Sequence, residues 1–445
     1  MCKHGIKHYL KELLTIAMPI IMGNLGFILI GIGDVVVAGR HSTDTFAAIS
    51  IATAIINCII TFGIGLISSI SPLLSNYRGE KKQIKRYFYP SIRFSLILAI
   101  LATTLILAVI PIIPFMGFEE RLVKPIQDYM FISAFSTFGA YLHAALKEYL
   151  QAFEIVLFPN AVTIFCVFLN IILNVMLVFG FGVIPSLGVI GLAVASFIVR
   201  YFMGFALLIY CLVRMSMRDY HEKGYYKNLL KIGMPISLAV FIEFVAFNSI
   251  AIFMGRVSGV YAAAQNLVCS LTTISFMVPF AISNAIAIKV GFANGAKNIE
   301  DLKKYSVIGT FLAVGFMVCS AVTFVSFPKE IAGVFTVDAE LVKIAIPVMY
   351  VLAVFQILDG LQIALAGICK GVKQTDIVLL ANFVAYWCTA IPVGYILAFK
   401  FKFMLTGFWV GLVMSAVVLC LIMIVKLVKF FNREYKNKNL EVGSC

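Results

Sequence analysis

Three acidic side chains interrupt long apolar stretches of the sequence: Asp34, Glu243 and Asp359. A carboxylate within the hydrocarbon of a membrane costs about 2.5–3.5 kcal/mol on insertion scales, so such residues mark ion or substrate pathways. Two carboxylates at one level can share a sodium ion, which favours hard oxygen ligands, or hold one proton between them. Each could instead do no more than satisfy a neighbouring helix by hydrogen bonding.

The helical rise puts two of these carboxylates at similar depth. At about 1.5 Å per residue, Glu243 lies roughly 18 Å beyond Lys231. Asp359 lies roughly 16 Å before Lys370, on a stretch that runs the other way. Asp34 is nearer the opposite surface, roughly 34 Å from the basic residue that precedes its stretch. We therefore expect Glu243 and Asp359 to lie near the midplane, where they could bind a sodium ion or a proton, and this is the one metal site that we expect.

Uncharged polar residues form a second candidate site in the first half of the chain. Asn170 and Asn174 are four residues apart and therefore share one helix face. Ser196 falls near the middle of the next apolar stretch and is a possible additional ligand. Together with Asp34, the two Asn residues predict a site for a proton or for substrate, although amides in lipid often only hold helices together.

Further oxygen ligands for Glu243 could come from Asn248 and Gln265. Motifs for other chemistry are missing from the sequence, including GxxxxGK[ST], GxSxG, HExxH and any Cys/His ligand array. The ten cysteines are scattered and none has CxxC spacing, so we interpret them as apolar packing residues. We expect neither an enzyme nor a cofactor other than this sodium ion or proton.

The elements that must hold these residues are transmembrane helices. The chain is 62% hydrophobic and only 13% charged, whereas soluble domains are about 25% charged. A spanning helix needs about 20 mostly apolar residues. Such stretches lie near 13–38, 46–71, 88–113, 126–147, 156–180, 187–212, 229–254, 259–288, 305–327, 341–368, 377–399 and 405–428. We therefore predict an all-α polytopic membrane protein with twelve transmembrane helices.

The net charge of +14 could suggest a nucleic-acid partner. With the N-terminus placed inside, however, most of the 35 Lys and Arg residues fall on the cytoplasmic side, as the positive-inside rule requires. We therefore expect both termini in the cytoplasm, membrane lipids as partners and no nucleic acid. We also expect the protein to be a monomer.

The two halves of the chain repeat each other at an offset of 216 residues. The matches include Pro19 with Pro235, Gly39-Arg40 with Gly255-Arg256, and Ala47-Ala48 with Ala263-Ala264. Because six spans separate the copies, both face the same way, and the repeat is parallel with two six-helix bundles. The predicted domains are lobes at 1–214 and 227–431, a cytoplasmic linker at 215–226 and a polar tail at 432–445.

Several motifs together resemble the multidrug and toxic compound extrusion (MATE) family, and its NorM-like branch in particular. The resemblance runs nearly from end to end of the chain. It is carried by Leu13–Arg40 with Asp34, Asn170–Ser196 with its LGxxGxAxAS run, Phe241–Phe247 with Glu243, and Leu358–Thr375 with Asp359 followed by Ala385-Tyr386-Trp387. It implies two-lobed transporters in the bacterial cytoplasmic membrane that exchange Na⁺ or H⁺ for drugs, with Glu243 and Asp359 binding the coupling ion.

Two positions depart from the pattern of the family. Ala264 stands where similar proteins often carry a His, and this difference leaves the ligand set and the choice of ion open. Asn174 stands where the proton-coupled branch commonly has an Asp, which favours the NorM-like branch.

The hypothesis is an antiporter that exports organic cations and drug-like amphipathic compounds. One rival is a flippase for lipid-linked sugars or polysaccharide precursors, a class that resembles this family in fold. Flippases tend to have a more cationic cavity, and here only Arg93 and Arg200 are basic residues well inside a span. The other rival, a membrane receptor or scaffold that does not transport, has no reason to keep two carboxylates at matched depth.

Overall fold

Nearly all described residues are helical. The computed structural model describes residues 5–182, 185–215, 224–336 and 338–443, and for 435–443 it gives the backbone alone. The helices are α1 (Ile6–His41), α2 (Thr43–Ile67), α3 (Ile70–Gly79), α4 (Phe88–Val109), α5 (Glu120–Ala152), α6 (Leu157–Phe179), α7 (Val189–Arg214), α8 (Tyr225–Gly255), α9 (Gly259–Gly295), α10 (Ile299–Ser326), α11 (Pro328–Phe335), α12 (Ala339–Gly371), α13 (Thr375–Asn382), α14 (Ile391–Tyr395) and α15 (Met404–Gly443).

Eleven of the described helical segments are long and apolar enough to cross a membrane. The remaining predicted span, near 126–147, corresponds to α5, a 33-residue helix with a more polar composition. Its polar residues Ser136, Thr137 and His143 are buried. Polar side chains are tolerated at membrane depth when they face neighbouring helices instead of lipid. The predicted all-α polytopic fold is confirmed.

The N-terminal unit, Met18–Ser237, is built around α5. This helix packs against α2, α4 and α7, while α6 packs against α7. The contact with α7 is close at Gly139, where a Cβ would lie 2.7 Å from the backbone nitrogen of Tyr201. At the end of α5, the Arg78 guanidinium donates a hydrogen bond of 2.8 Å to the Ala152 carbonyl.

The C-terminal unit combines Met1–Ala17 with Leu238–Cys445. Helix α12 is at its centre and packs against α9, α10 and α15. The start of α1 is held by polar contacts within this unit. The Tyr9 hydroxyl donates to Asp301 at 2.6 Å, and Lys289 forms an ion pair with Glu12 at 3.4 Å.

Both boundaries between the two units fall inside helices. The chain leaves the C-terminal unit within α1, between Ala17 and Met18, and returns to it within α8 after Ser237. A proline lies next to each boundary, at positions that the sequence repeat pairs: Pro19 and Pro235. Proline removes one helical hydrogen bond and bends the backbone. Of the predicted linker, residues 216–223 lie outside the described residues, and α8 begins at Tyr225.

The parallel repeat extends to helix capping. Ser42 caps α2 by accepting from the Thr45 amide at 3.0 Å. Ser258, its partner at the same offset, caps α9 by accepting from the Tyr261 amide at 3.4 Å. Both cap residues have extended backbones, with φ of −166° and −164°, which is typical of an N-cap. The repeat therefore preserves the point at which a new helix begins in each half.

The segment 375–400 departs from regular α-helix. It starts as α13, widens into a π-helix at Phe383–Ala390, narrows to α14 and widens again at Ile396–Lys400. Beside it, α15 carries Gly407 and Gly411 four residues apart. A Cβ at Gly411 would lie 2.7 Å from the Ala390 carbonyl oxygen and 2.8 Å from the Gly394 nitrogen. Small residues with this spacing let two helix backbones approach closely in membranes.

Candidate functional site

A cavity of about 300 Å³ within the C-terminal unit contains both predicted coupling-ion residues. Glu243 reaches it from α8 and Asp359 from α12, and Glu243 lies within electrostatic range of Asp359. The other lining residues are Ala251 and a set of aromatic or polar side chains: Phe244, Phe247, Asn248, Asn266, Cys269, Thr272, Thr273, Phe276 and Phe355. The two carboxylates are thus brought together in a chamber with aromatic walls.

Glu243 is held by a tyrosine from the π-helical segment. The Tyr386 hydroxyl donates to Glu243 Oε1 at 2.9 Å. Tyr386 lies in the Phe383–Ala390 π-helix, and π-helical turns are rare and occur frequently at functional sites. A neighbouring contact fixes this helix against α8, because Asn382 Nδ2 donates to the Ala239 carbonyl at 3.2 Å.

Asp359 is almost fully buried, with 2% of its surface exposed. Gln362, one turn further along α12, donates from Nε2 to Asp359 Oδ1 at 2.6 Å. Among the described residues, the side-chain oxygens of Gln362 and Gln356 are buried without a hydrogen-bond donor. A buried acceptor without a partner costs about 1–3 kcal/mol. The surroundings of Asp359 therefore offer spare oxygen atoms to a cation or a proton.

The two predicted additional ligands of this unit differ in their surroundings. Asn248 lines the cavity, and its Nδ2 donates to the Phe244 carbonyl at 2.7 Å. Gln265 is buried, and its oxygen accepts from the Trp409 indole at 2.9 Å. Its amide nitrogen lies 3.2 Å from Cys269 Sγ. Gln265 therefore holds α9 against α15 through its hydrogen bond with Trp409.

In the N-terminal unit, the four predicted residues lie together. Asn174 Nδ2 donates to Asp34 Oδ1 at 2.6 Å and to Asn170 Oδ1 at 3.0 Å. Ser196 donates to Asp34 Oδ2 at 3.3 Å. Arg200 lies one turn beyond Ser196, acts electrostatically on Asp34 and donates to Ser136 at 2.7 Å. Helices α1, α6 and α7 therefore join in one polar cluster around a carboxylate.

This cluster is not saturated with hydrogen bonds. In the part of the chain that the structure describes, Asn170 Nδ2 and Asn174 Oδ1 are buried and have no partner. One is a donor and the other an acceptor. A proton on the carboxylate would supply a donor for Asn174 Oδ1, and a polar substrate group could supply an acceptor for Asn170 Nδ2. The arrangement is therefore suited to binding a proton or a polar group reversibly.

We expect Asn174→Ala to destabilise the N-terminal unit. The change removes the donor to both Asp34 and Asn170, and a hydrogen bond to a charged group contributes about 1.5–3 kcal/mol. The melting temperature of the purified protein should fall by a few degrees. Asn432→Ala, which alters an exposed amide on α15, is the matched control and should melt like the wild type. Equal melting of both variants would contradict the assigned role of Asn174.

Sequence reasoning missed two residues that hold the carboxylates, Gln362 and Tyr386. Gln362 carried a usable signal, because it is three residues beyond Asp359 and such residues share a helix face. The spacing of Tyr386 gave no indication of its role, because it lies 143 positions beyond Glu243 in the sequence. It occurs in the Ala385-Tyr386-Trp387 segment, which the family resemblance includes but to which it gives no role.

Comparison with known proteins gives a consistent picture. The profile of the MatE family matches residues 19–176 and 235–396, which is more than half of the chain. A multidrug resistance protein NorM of Photobacterium profundum is 26% identical over 424 residues, covering 92% of each chain. A probable multidrug resistance protein NorM of Bacillus subtilis is 25% identical over 430 residues, covering 91% of this chain and 92% of its own.

The fold is also that of solved structures. The crystal structure of a eukaryotic MATE transporter aligns with a TM-score of 0.86 and 19% sequence identity, covering 98% of this chain and 100% of that one. At this identity the likeness establishes the fold alone, a two-lobed helical membrane protein.

Proposed function

Because this chain belongs to the MatE family, we propose that it is a secondary active antiporter that exports organic cations and drug-like amphipathic compounds in exchange for Na⁺ or H⁺. The observation that carries the proposal is the meeting of Glu243 and Asp359 in one cavity with aromatic walls. In this proposal, a multi-pass protein of the bacterial cytoplasmic membrane has both chain ends in the cytoplasm and acts as a monomer without catalytic activity.

The walls of the cavity suit an aromatic cation. The rings of Phe244, Phe247, Phe276 and Phe355 surround the two carboxylates. Aromatic faces attract cations by about 0.5–2 kcal/mol, and more strongly where water is excluded. Phe247 and Phe355 also form an edge-to-face pair, with ring centroids 6.5 Å apart. A flat organic cation would thus find both apolar contact and opposite charge.

Exchange follows from competition for the same charges. A cationic substrate and a coupling ion both neutralise Glu243 and Asp359, so the binding of one disfavours the other. A ligand shifts a conformational equilibrium only through its different affinity for the two states. Ion entry down its gradient then drives export, and one charge that crosses 100 mV releases about 2.3 kcal/mol.

The oxygen atoms in and around the cavity could bind either sodium or a proton. Sodium would take the carboxylates of Glu243 and Asp359, with the free oxygen of Gln362 and the side chain of Asn248 as further ligands. A proton would need only the two carboxylates, which repel each other when both are charged. No other cofactor is proposed.

The Asp34 cluster is a second polar site of this proposed antiporter. Asp34 with Asn170 and Asn174 would bind a proton or a polar substrate group, and Ser196 supports the carboxylate. The unpartnered Asn170 and Asn174 atoms support this role.

The flippase alternative is not favoured. A lipid-linked sugar carries phosphate groups, which require basic residues at the binding site. Among the described residues that line the cavity, two are acidic and none is basic. The charge of the cavity therefore selects cations over phosphorylated lipids.

The test is efflux of ethidium, a fluorescent organic cation, from cells that express the chain. Sodium and proton gradients are imposed separately, and cells carrying an empty vector provide the baseline. We expect efflux to follow one of the two gradients, which also identifies the coupling ion. Well-expressed protein that moves neither ethidium nor several other organic cations under either gradient would refute the proposal.

A further inference from the structure

A second cavity lies in the C-terminal unit, beside the last helix and apart from the carboxylate cavity. Its volume is about 320 Å³. One wall is α15 and the other is the start of α13 with the residue before it. The lining residues are Gln374, Ile377, Lys426, Lys429, Phe430 and Arg433. No residue of this cavity takes part in the proposed antiport.

The cationic residues of this cavity share one face of α15. Lys426, Lys429 and Arg433 follow each other at intervals of three and four residues, which is the spacing of neighbours on one helix face. They come where the apolar part of α15 ends, because the helix has no Lys or Arg between Met404 and Val425. The cluster is therefore at the level of lipid headgroups.

The charge of the cavity is not balanced by the protein that is described. Among the residues whose side chains the structure describes, its lining includes three cations and no carboxylate. Lys426 and Lys429 are exposed, and neither forms an ion pair with a side chain described up to residue 434. The ion pair of Arg433 is a loose one, 3.8 Å from its neighbour Glu434. Two lysines without ion pairs and a loosely paired arginine that line one cavity form a site for an anion.

Phosphate is the anion that these donors match. The Arg guanidinium binds phosphate oxygens in a two-pronged geometry, and Lys ammonium groups add point charges and donors. Gln374 contributes a neutral amide from the opposite wall.

An apolar surface leads along α15 to the same cavity. Leu421, Val425 and Val428 are 56%, 50% and 51% exposed. Leu421, Val425 and Lys429 are four residues apart, so this surface ends at the cationic cluster. A phosphate-bearing molecule with acyl chains would contact both the cationic cavity and the apolar surface of α15. Free phosphate would contact only the cavity.

We propose that the cavity formed by Lys426, Lys429, Arg433 and Gln374 binds the phosphoryl group of an anionic phospholipid, with its acyl chains along the exposed apolar face of α15. Basic pockets between helix ends at the cytoplasmic surface are suited to such headgroups. The site is independent of the exported compound and of the coupling ion.

The experiment titrates fluorescently labelled phosphatidylglycerol into the purified full-length protein in mixed micelles, with labelled phosphatidylcholine in parallel. The test variant is Lys426→Gln/Lys429→Gln. The control is Lys7→Gln/Lys303→Gln, which removes the same charge from two exposed lysines of the same unit. Thermal melting of both variants shows that they remain folded.

We expect the test variant to bind phosphatidylglycerol roughly 30-fold more weakly, because each of the two lysines adds a similar share of the electrostatic attraction to the anionic lipid. The control should bind like the wild type, and phosphatidylcholine should bind weakly to all three. An equal loss in test and control, or no preference for phosphatidylglycerol, would overturn the proposal. Displacement of the lipid by millimolar inorganic phosphate would overturn the assignment to lipid.

Discussion

Asp359→Asn should abolish gradient-driven efflux and leave the amount of folded protein in the membrane unchanged. Asparagine keeps the volume of the side chain and its hydrogen bonding with Gln362, so α12 can pack as before. The neutral amide of asparagine, however, lacks the negative charge that binds a cation. Loss of one partner of a buried charged pair costs about 2–5 kcal/mol, which corresponds to a fall of about 30-fold or more in ion binding.

The measurement is ethidium efflux under the driving gradient, with expression followed by fluorescence-detected size-exclusion chromatography. Asp376→Asn is the matched control, because Asp376 is an exposed carboxylate near the start of α13 in the same unit. It should transport like the wild type. Glu243→Gln should behave like Asp359→Asn, since the two side chains line one cavity. Normal efflux by Asp359→Asn would remove this residue from the coupling site.

Gly411→Val should unfold or severely destabilise the protein. Even a Cβ at this position would lie within 2.9 Å of three backbone atoms of Ala390 and Gly394. Backbone atoms cannot move aside as a flexible side chain can, so α15 must separate from its neighbour. Overpacking of this kind costs about 1–3 kcal/mol and occasionally more. We expect the melting temperature to fall by about 5 °C, or folded protein to be lost altogether.

Gly315→Val is the control for this substitution. Gly315 is exposed within α10, and a Cβ there would meet nothing within 4 Å. Valine also has a higher helix propensity than glycine. The control should therefore melt at the temperature of the wild type or slightly above it. Wild-type melting of Gly411→Val would show that α15 does not depend on this close approach.

The transmembrane architecture could be predicted because one physical requirement dominates it. Lipid demands long apolar helices, and these are visible as uninterrupted apolar stretches. The exception, α5, shows the limit of that rule. Its Ser136, Thr137 and His143 are buried between helices, and composition alone does not reveal which face of a helix meets lipid.

The candidate site could be predicted in part. Rare polar residues in apolar surroundings drew attention to Asp34, Asn170 and Asn174, and the structure groups them with Ser196. Gln265 stood out for the same reason, yet its amide is occupied by Trp409, 144 residues further along the chain. Helical spacing indicates which residues share a face but not which face meets a distant helix. Long-range partners therefore require the three-dimensional structure.

The wide turns around Tyr386 determine which faces of this segment meet its two neighbours. Each wide turn takes up one residue more than an α-helical turn would, so closing it to regular α-helix at the same chain length would rotate everything beyond it by about 100°. Tyr386, within the first π-helical stretch, contacts Glu243 of α8, whereas Gly394, beyond that stretch, lies against Gly411 of α15. The two contacts can therefore coexist only while the π-helical stretch is kept. Its conversion to regular α-helix would break one of them even if every side chain in the segment were retained.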